Sequence, residues 1–266
     1  MYKNKNFGVE MVAFQDTEFI ESSIRLIQPF VDNITVSIGD KSWFGNISNN
    51  GEVEKIVIRL MSEFKNIHLL KGNWKTEAEQ RNANLKAMPE CDRIFIIDSD
   101  EVWPSEVIHN VRDYVINKDS TVFNAFWNTR FKNINWRVDP REPFRPTICL
   151  NNRKNLEFYK NRLIKVGFNA SSTLIPEKLC IIEHFSYVRD NDQKIKEKIK
   201  TFSHANEILN GIDFWFENVY LLSNLQSRCL HPTHPEAYLR LIVDPIHPEI
   251  ENMLKKYSPK LFDIKD

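Results

Sequence analysis

The sequence predicts an α/β chain: a mostly parallel central sheet with helices on both faces, followed by a helical C-terminal extension. Three observations carry this expectation. Short apolar, β-rich runs alternate with segments of helical period through the first half. The clearest run, Arg93-Ile94-Phe95-Ile96-Ile97, ends in an acidic cluster, Asp98-Ser99-Asp100-Glu101. The second half changes to short strand candidates between loops rich in Asn, Arg, Pro and aromatics. A β-α-β-α-β-α-β order implies parallel strands joined by helical crossovers. Ligands of such sheets bind beyond the carboxyl ends of the strands.

In order along the chain, Val9 to Phe14 suits a buried strand. Asp16 or Thr17 is placed to cap a helix carrying Phe19, Ile20, Ile24 and Ile27. Pro29 limits that helix, and Asn33 to Ile38 is β-rich up to Gly39-Asp40. A loop with Trp43, Gly45, Asn46, Asn49, Asn50 and Gly51 leads to a helix from about Val53 to Phe64. Asn66 to Leu70 reads as a strand, and Glu77 to Met88 as a helix. Beyond the acidic strand, candidates are Val122 to Trp127, Pro146 to Leu150 and Leu179 to Ile182. A long helix is expected to place Ile195, Ile199, Phe202, Ile208 and Leu209 on one face. His231-Pro232, His234-Pro235 and His247-Pro248 predict an irregular loop before a last helix, Glu249 to Tyr257.

Composition narrows the function. Of 266 residues, 42% are hydrophobic and 27% charged, ordinary for a globular chain. Thirty-six basic and 36 acidic residues cancel, so there is no footprint for nucleic acid. No apolar stretch approaches the roughly 20 residues of a bilayer span, and the start does not read as a signal peptide. Cys91, Cys149, Cys180 and Cys229 lie far apart, and free thiols are expected. The reading is a cytoplasmic, soluble protein.

Asp98-Ser99-Asp100 differs in placement from the chain's other Asp-x-Asp, Asp190-Asn191-Asp192, which opens a lysine-rich helix and reads as a cap. The first follows four apolar residues, so a buried strand carries two carboxylates to its edge and Glu101 adds a third. Uncompensated, three such acids repel and are costly to desolvate. A divalent cation offsets that cost, and hard oxygen ligands suit Mg2+ or Mn2+. The alternative is a solvated acidic turn.

Gly72-Asn73-Trp74-Lys75-Thr76-Glu77-Ala78-Glu79-Gln80-Arg81-Asn82, followed by Arg93 to Glu101, resembles the inverting glycosyltransferases of family 2, which have the Rossmann-like GT-A fold. Phe30 to Ser37 resembles their second strand, and Glu183-His184-Phe185-Ser186-Tyr187-Val188-Arg189 resembles the strand end that supplies a late histidine to the metal. The resemblance covers about residues 7 to 220. It implies a domain over 1–230, with a nucleotide-binding half at 1–118, an acceptor half at 119–190 and helices at 191–230; residues 231–266 form an extension packed on it. It also implies a UDP- or other nucleoside-diphosphate-sugar donor and a glycan, lipid or protein acceptor. Asp98, Asp100 and His184 would surround Mn2+ or Mg2+, with Asp100 the direct ligand and Asp98 also near the ribose. Arg81 would face the nucleotide and Asp40 its base, both at the mouth of the sheet, so that their loss spares the fold. Arg189 is either a bidentate phosphate donor or a surface arginine.

The sequence departs from the family in one respect. An inverting enzyme needs a carboxylate base for the acceptor hydroxyl, and Lys165 to Ser172, the first place to look, holds none. Asp139, Glu142, Glu157 and Glu177 remain; Glu142 is preferred, with Asp139 beside it, and a solvated loop acid is the alternative for each. Trp74, Trp127 and Trp136 flank the expected cleft. Phe214-Trp215-Phe216 with Tyr220 reads as core packing, although a peripheral membrane contact is compatible with it. His231 and His234 read as a structured loop.

Two other functions compete. Ile97-Asp98-Ser99-Asp100-Glu101-Val102 matches the motif of haloacid dehalogenase-type phosphatases, with Asp98 as nucleophile, but Gly39-Asp40 precedes the motif, the wrong order for that family. The missing base also leaves open a non-catalytic GT-A-like binding module.

Overall fold

The computed structural model describes residues 5–43, 45, 50–151, 156–165, 170–201 and 205–263. β1 (Phe7–Ala13), α1 (Ile20–Ile27), β2 (Asn33–Gly39), α2 (Gly51–Glu63), β3 (Ile67–Gly72), α3 (Glu77–Ala87) and β4 (Arg93–Asp98) follow the predicted alternation. β5 (Glu101–Val102) and α4 (Ser105–Ile116) come next. The middle of the chain is β-rich: β6 (Val122–Asn124), β7 (Phe126–Phe131), β8 (Asn133–Asp139), β9 (Thr147–Asn151), β10 (Glu157–Lys160), β11 (Leu163–Lys165), β12 (Ser172–Leu174) and β13 (Ile181–Tyr187). α5 (Asp192–Thr201), α6 (Ile212–Trp215), β14 (Arg240–Val243) and α7 (Pro248–Tyr257) complete it.

The main sheet runs β12-β6-β9-β4-β1-β2-β3. β3, β2, β1 and β4 are mutually parallel, while β9 runs antiparallel between β4 and β6. The period-2 alternation of β4 decides what lies on each face. Phe95 and Ile97 join the core formed with α1, α2 and α4. Ile94 and Ile96 point the other way, against Ala78 of α3, Met88 and the β10–β11 hairpin residues Phe158 and Ile164. Helices therefore cover both faces, as expected.

A second, mixed sheet, β14-β8-β7-β13-β5, was not anticipated. The single strand expected over Val122 to Trp127 is two strands, which part at the fully buried Ala125 and enter different sheets. The apolar pattern runs through this point without a break, so periodicity alone gives no sign of it. Beneath this sheet Phe131, Tyr187, Trp215, Phe216, Tyr220 and Tyr238 form a second core. Trp215, Phe216 and Tyr220 are thus packing residues, and Phe214 is exposed.

Three local expectations change. α1 has no side-chain cap, since Asp16 is engaged by Ser99 and Arg189 instead. α5 ends at Thr201, so Ile208 and Leu209 are not on it, and Phe202 lies outside the described residues. The C-terminal extension is only partly helical. β14 pairs with β8, and Glu249 accepts from Ser105 N at 2.7 Å and Oγ at 2.6 Å, which ties α7 to α4. All four cysteines are free, three of them buried. Among the described residues no helix is long and apolar enough to cross a membrane.

Candidate active site

β4 carries Asp98 to the carboxyl edge of the main sheet, and the turn Ser99-Asp100 leads directly into β5. β5 pairs with β13, setting Glu101 against His184 and Val102 against Glu183. Phe185 N also donates to Asp100 O at 2.8 Å. The main chain therefore fixes Asp100 beside His184. Both open into a cavity of about 520 Å3 together with Asp98, Arg81, Glu142, Trp127, Lys198 and Tyr238. That volume suits a small-molecule ligand.

Asp98 does not stand uncompensated. Arg81 Nη2 lies 2.5 Å from Oδ1 and Arg162 Nε 3.5 Å from Oδ2. Burial alone would raise its pKa, but Arg162 and Arg81 outweigh this and hold the carboxyl below its ordinary range. Arg81 is 1% exposed and also pairs with Glu10 at 2.9 Å and Glu77 at 2.8 Å. The expectation that Arg81 sits at the mouth of the sheet, outside its core, is corrected. It reaches the cavity floor with its guanidinium shared among three carboxylates.

Asp100 is compensated as well. Lys198 Nζ donates to its Oδ2, and Arg189 Nη2 lies 3.5 Å away. Burial acts against ionisation, yet Lys198 first and Arg189 after it hold Asp100 far below the carboxylate range. A metal is therefore not required to relieve the crowded acids, because the protein supplies its own cations. Arg189 is neither a surface arginine nor a free phosphate donor. It is 2% exposed, donates to Phe185 O at 2.9 Å and Val188 O at 2.6 Å, and pairs with Asp16.

His184 stacks on Trp127 with ring centroids 4.2 Å apart. Burial lowers its pKa to about 4, so the ring is neutral at pH 7. Its Nε2 faces Asp100 Oδ1 at 3.7 Å, and its buried Nδ1 has no hydrogen-bond partner among the described residues. A neutral imidazole beside an ionised carboxylate is a donor pair that fits Mn2+ or Mg2+, provided a diphosphate and water complete the shell. Among the described residues no three His, Cys, Asp or Glu side chains are gathered as a metal cluster. Asp98 lines the same cavity, but its two oxygens face Arg81 and Arg162. Glu101 does not join Asp100 and His184: its side chain is fully buried, accepts from Trp127 Nε1 at 3.0 Å and pairs with Arg162 at 2.7 Å. Burial raises its pKa to about 7.

The two candidate bases separate. Glu142 lines the cavity, half-buried, and accepts on Oε1 from Thr129 Oγ1 and from Tyr238 Oη, the latter at 2.7 Å. Burial raises its pKa above the ordinary glutamate value. Asp139 is held away by Arg240 at 2.6 Å and Arg137 at 3.5 Å, and the Arg240 hydrogen bond lowers its pKa. Glu177 pairs with Arg141, and Glu157 is exposed on β10. Val166 to Asn169, in the stretch first searched for a base, lie outside the described residues. Asp40 is exposed beyond β2; from that edge Ser42 and Trp43 line the cavity. His231 and His234 form the expected structured loop, with Thr233 N donating to His231 Nδ1 at 3.1 Å, and this loop makes one cavity wall.

Arg162, Lys198 and Tyr238 line the cavity and were not foreseen from the sequence. Nothing local marks them, since each meets its partner only through the tertiary fold. Glu10 did carry a signal: a charge within an apolar strand needs a buried cation, here Arg81.

No family model matches the chain, and no curated protein matches it. Solved structures do. TarS 1–349 from S. aureus in complex with UDP matches at 15% identity with a TM-score of 0.38, over 47% of this chain and 36% of that one. Glucosyl-3-phosphoglycerate synthase from Mycobacterium tuberculosis, in complex with Mn2+, UDP-glucose and phosphoglyceric acid, matches at 17% identity with a TM-score of 0.37, over 47% and 44%. The chain thus spans less than half the length of these two. A second structure of TarS 1–349 matches at 13% identity with a TM-score of 0.46, over 80% of this chain and 75% of that one.

Proposed function

We propose that the chain is a glycosyltransferase that moves a sugar from UDP or another nucleoside diphosphate to a hydroxyl of a glycan, lipid or protein. One observation carries this reading. A single cavity receives an ionised strand-end aspartate, a neutral histidine 3.7 Å from it and a separate half-buried glutamate, delivered by different elements.

Asp100 and His184 would hold Mn2+ or Mg2+, and the bound cation supplies charge stabilisation to the departing diphosphate. The chain's own residues do the rest. Glu142 takes the acceptor hydroxyl proton as the oxygen bonds to the anomeric carbon; the bond from that carbon to the diphosphate oxygen breaks, and its electron pair leaves with the nucleotide. Burial raises the Glu142 pKa above the ordinary glutamate value, the direction that makes it a stronger base. Thr129 and Tyr238 orient it from one side. Trp127, stacked behind His184, fixes the imidazole plane. A phosphatase using Asp98 as nucleophile fits less well, since both of its oxygens face guanidinium groups.

The test is incubation with a panel of nucleotide sugars, with and without Mn2+, measuring released nucleoside diphosphate. Metal-dependent release from one donor supports the reading. Hydrolysis of a phosphate monoester, with no release from any donor, refutes it.

A further inference from the structure

Four protein cations surround the two motif aspartates, and they are not equivalent. Arg81, Arg162 and Arg189 are 1%, 3% and 2% exposed at their side chains, and each is shared with a further buried carboxylate. Lys198 is 20% exposed, and its only carboxylate partner among the described residues is Asp100. It stands in the last turn of α5, and its ammonium also donates to Ser186 O at 3.0 Å and Oγ at 3.1 Å. Ser186 lies two residues beyond His184 on β13, and both line the cavity. The ammonium therefore sits on the carboxylate whose other oxygen faces His184 Nε2.

We propose, building on the metal reading above, that Lys198 is a resident counter-ion of Asp100 that a divalent cation must displace. A monovalent ammonium and a divalent ion on one carboxylate repel strongly in a partly dry site. The three arginines are locked by their other partners, whereas a lysine on a flexible stem can swing out to solvent. In the unloaded protein Lys198 holds Asp100 in place as its counter-charge; on loading it leaves. Intrinsic metal affinity is therefore held low by a residue that is not itself a ligand.

The experiment is titration of the full chain with Mn2+ at a fixed concentration of UDP, whose diphosphate completes the shell, with the Mn2+–UDP blank subtracted, followed by electron paramagnetic resonance of the free ion. Lys198→Met should bind Mn2+ at least tenfold more tightly than the parent chain, and Lys198→Arg, which keeps the cation, should stay weak. Asp100→Asn added to Lys198→Met should abolish the gain, which ties the binding to this carboxylate. Mn2+ should also raise the melting temperature of Lys198→Met more than that of the parent, because Asp100 there has lost its closest cation. Equal, Asp100-dependent affinities in parent and Lys198→Met overturn the counter-ion role and leave the metal reading standing. Absence of Mn2+ binding in both overturns the metal reading, and the counter-ion role with it.

Discussion

Replacing Arg81 by alanine removes the one guanidinium shared by Glu10, Glu77 and Asp98. Glu10 is fully buried in β1 and, among the described residues, keeps only the Asn84 amide, at 3.0 Å, as a side-chain hydrogen-bond partner. Breaking a buried pair by deleting one member costs about 3–5 kcal/mol, because the other charge stays behind in a dry site. Losses at the three carboxylates are not additive, so about 3 kcal/mol is a floor. A domain holds only about 5–15 kcal/mol in total. With a urea slope of about 1–3 kcal/mol/M, the midpoint should fall by at least 1 M in a denaturation followed by circular dichroism. Adding Glu10→Gln should recover part of the loss by removing the stranded charge. The loss should also shrink at lower pH, since burial already raises the Glu10 pKa with Arg81 present and removing the cation raises it further. A midpoint within about 0.3 M of the parent at pH 7.5, with unchanged slope, would falsify the claim that Arg81 is structural before it is functional.

Other outcomes follow from the same geometry. Chelator should abolish transfer and Mn2+ restore it; His184→Ala should remain folded by circular dichroism yet lose most turnover at saturating Mn2+, and near-parental turnover removes His184 from the site. Glu142→Gln should cut turnover by about 10²–10⁴ with donor affinity unchanged in calorimetry. Tyr238→Phe should move the acid limb of the pH–rate profile upward, because the Tyr238 bond favours the ionised carboxylate; an unmoved limb argues against Glu142 as base. Glu101, with its folded pKa raised to about 7 from 4.5, contributes stability at low pH that is lost as pH rises through that window. His184, lowered to about 4 from 6.5, contributes stability above 6.5 that is lost as pH falls toward 4. The two slopes oppose, each worth about 3 kcal/mol, so Glu101→Gln should grow more stable from pH 4 to 6.5 than the parent does. A parallel curve in thermal melts would count against the shift at Glu101.

The parallel half of the main sheet and the Asp98–Asp100 edge were legible because both are local. Four apolar residues in a row made β4, and a strand of that kind puts whatever follows it at a sheet edge. His184 was legible in the same way, through the apolar run from Cys180 to Ile182. The second sheet was not, because Ala125 parts two strands inside one unbroken apolar run. The counter-charges were not legible either. Arg81 lies 17 residues from Asp98 and Lys198 lies 98 from Asp100, and no periodicity encodes such a meeting. The acids therefore looked uncompensated, and the case for a metal looked stronger on paper than the folded site makes it.

The short ladder between β5 and β13 divides the cavity by how its parts are held. Asp100 and His184 sit on adjoining rungs of one main-chain lattice, so side-chain drift elsewhere leaves their spacing intact. The opposite wall, with Glu142, His231, His234 and Tyr238, comes from loop residues outside the strands, fixed by side-chain bonds such as Thr129–Glu142 and Tyr238–Glu142. Lineages that alter this wall can change what enters while inheriting the same chemical jaw. Directed evolution of selectivity belongs there, between residues 139 and 145 and between 231 and 238, and libraries placed on β5 or β13 should return mostly dead proteins.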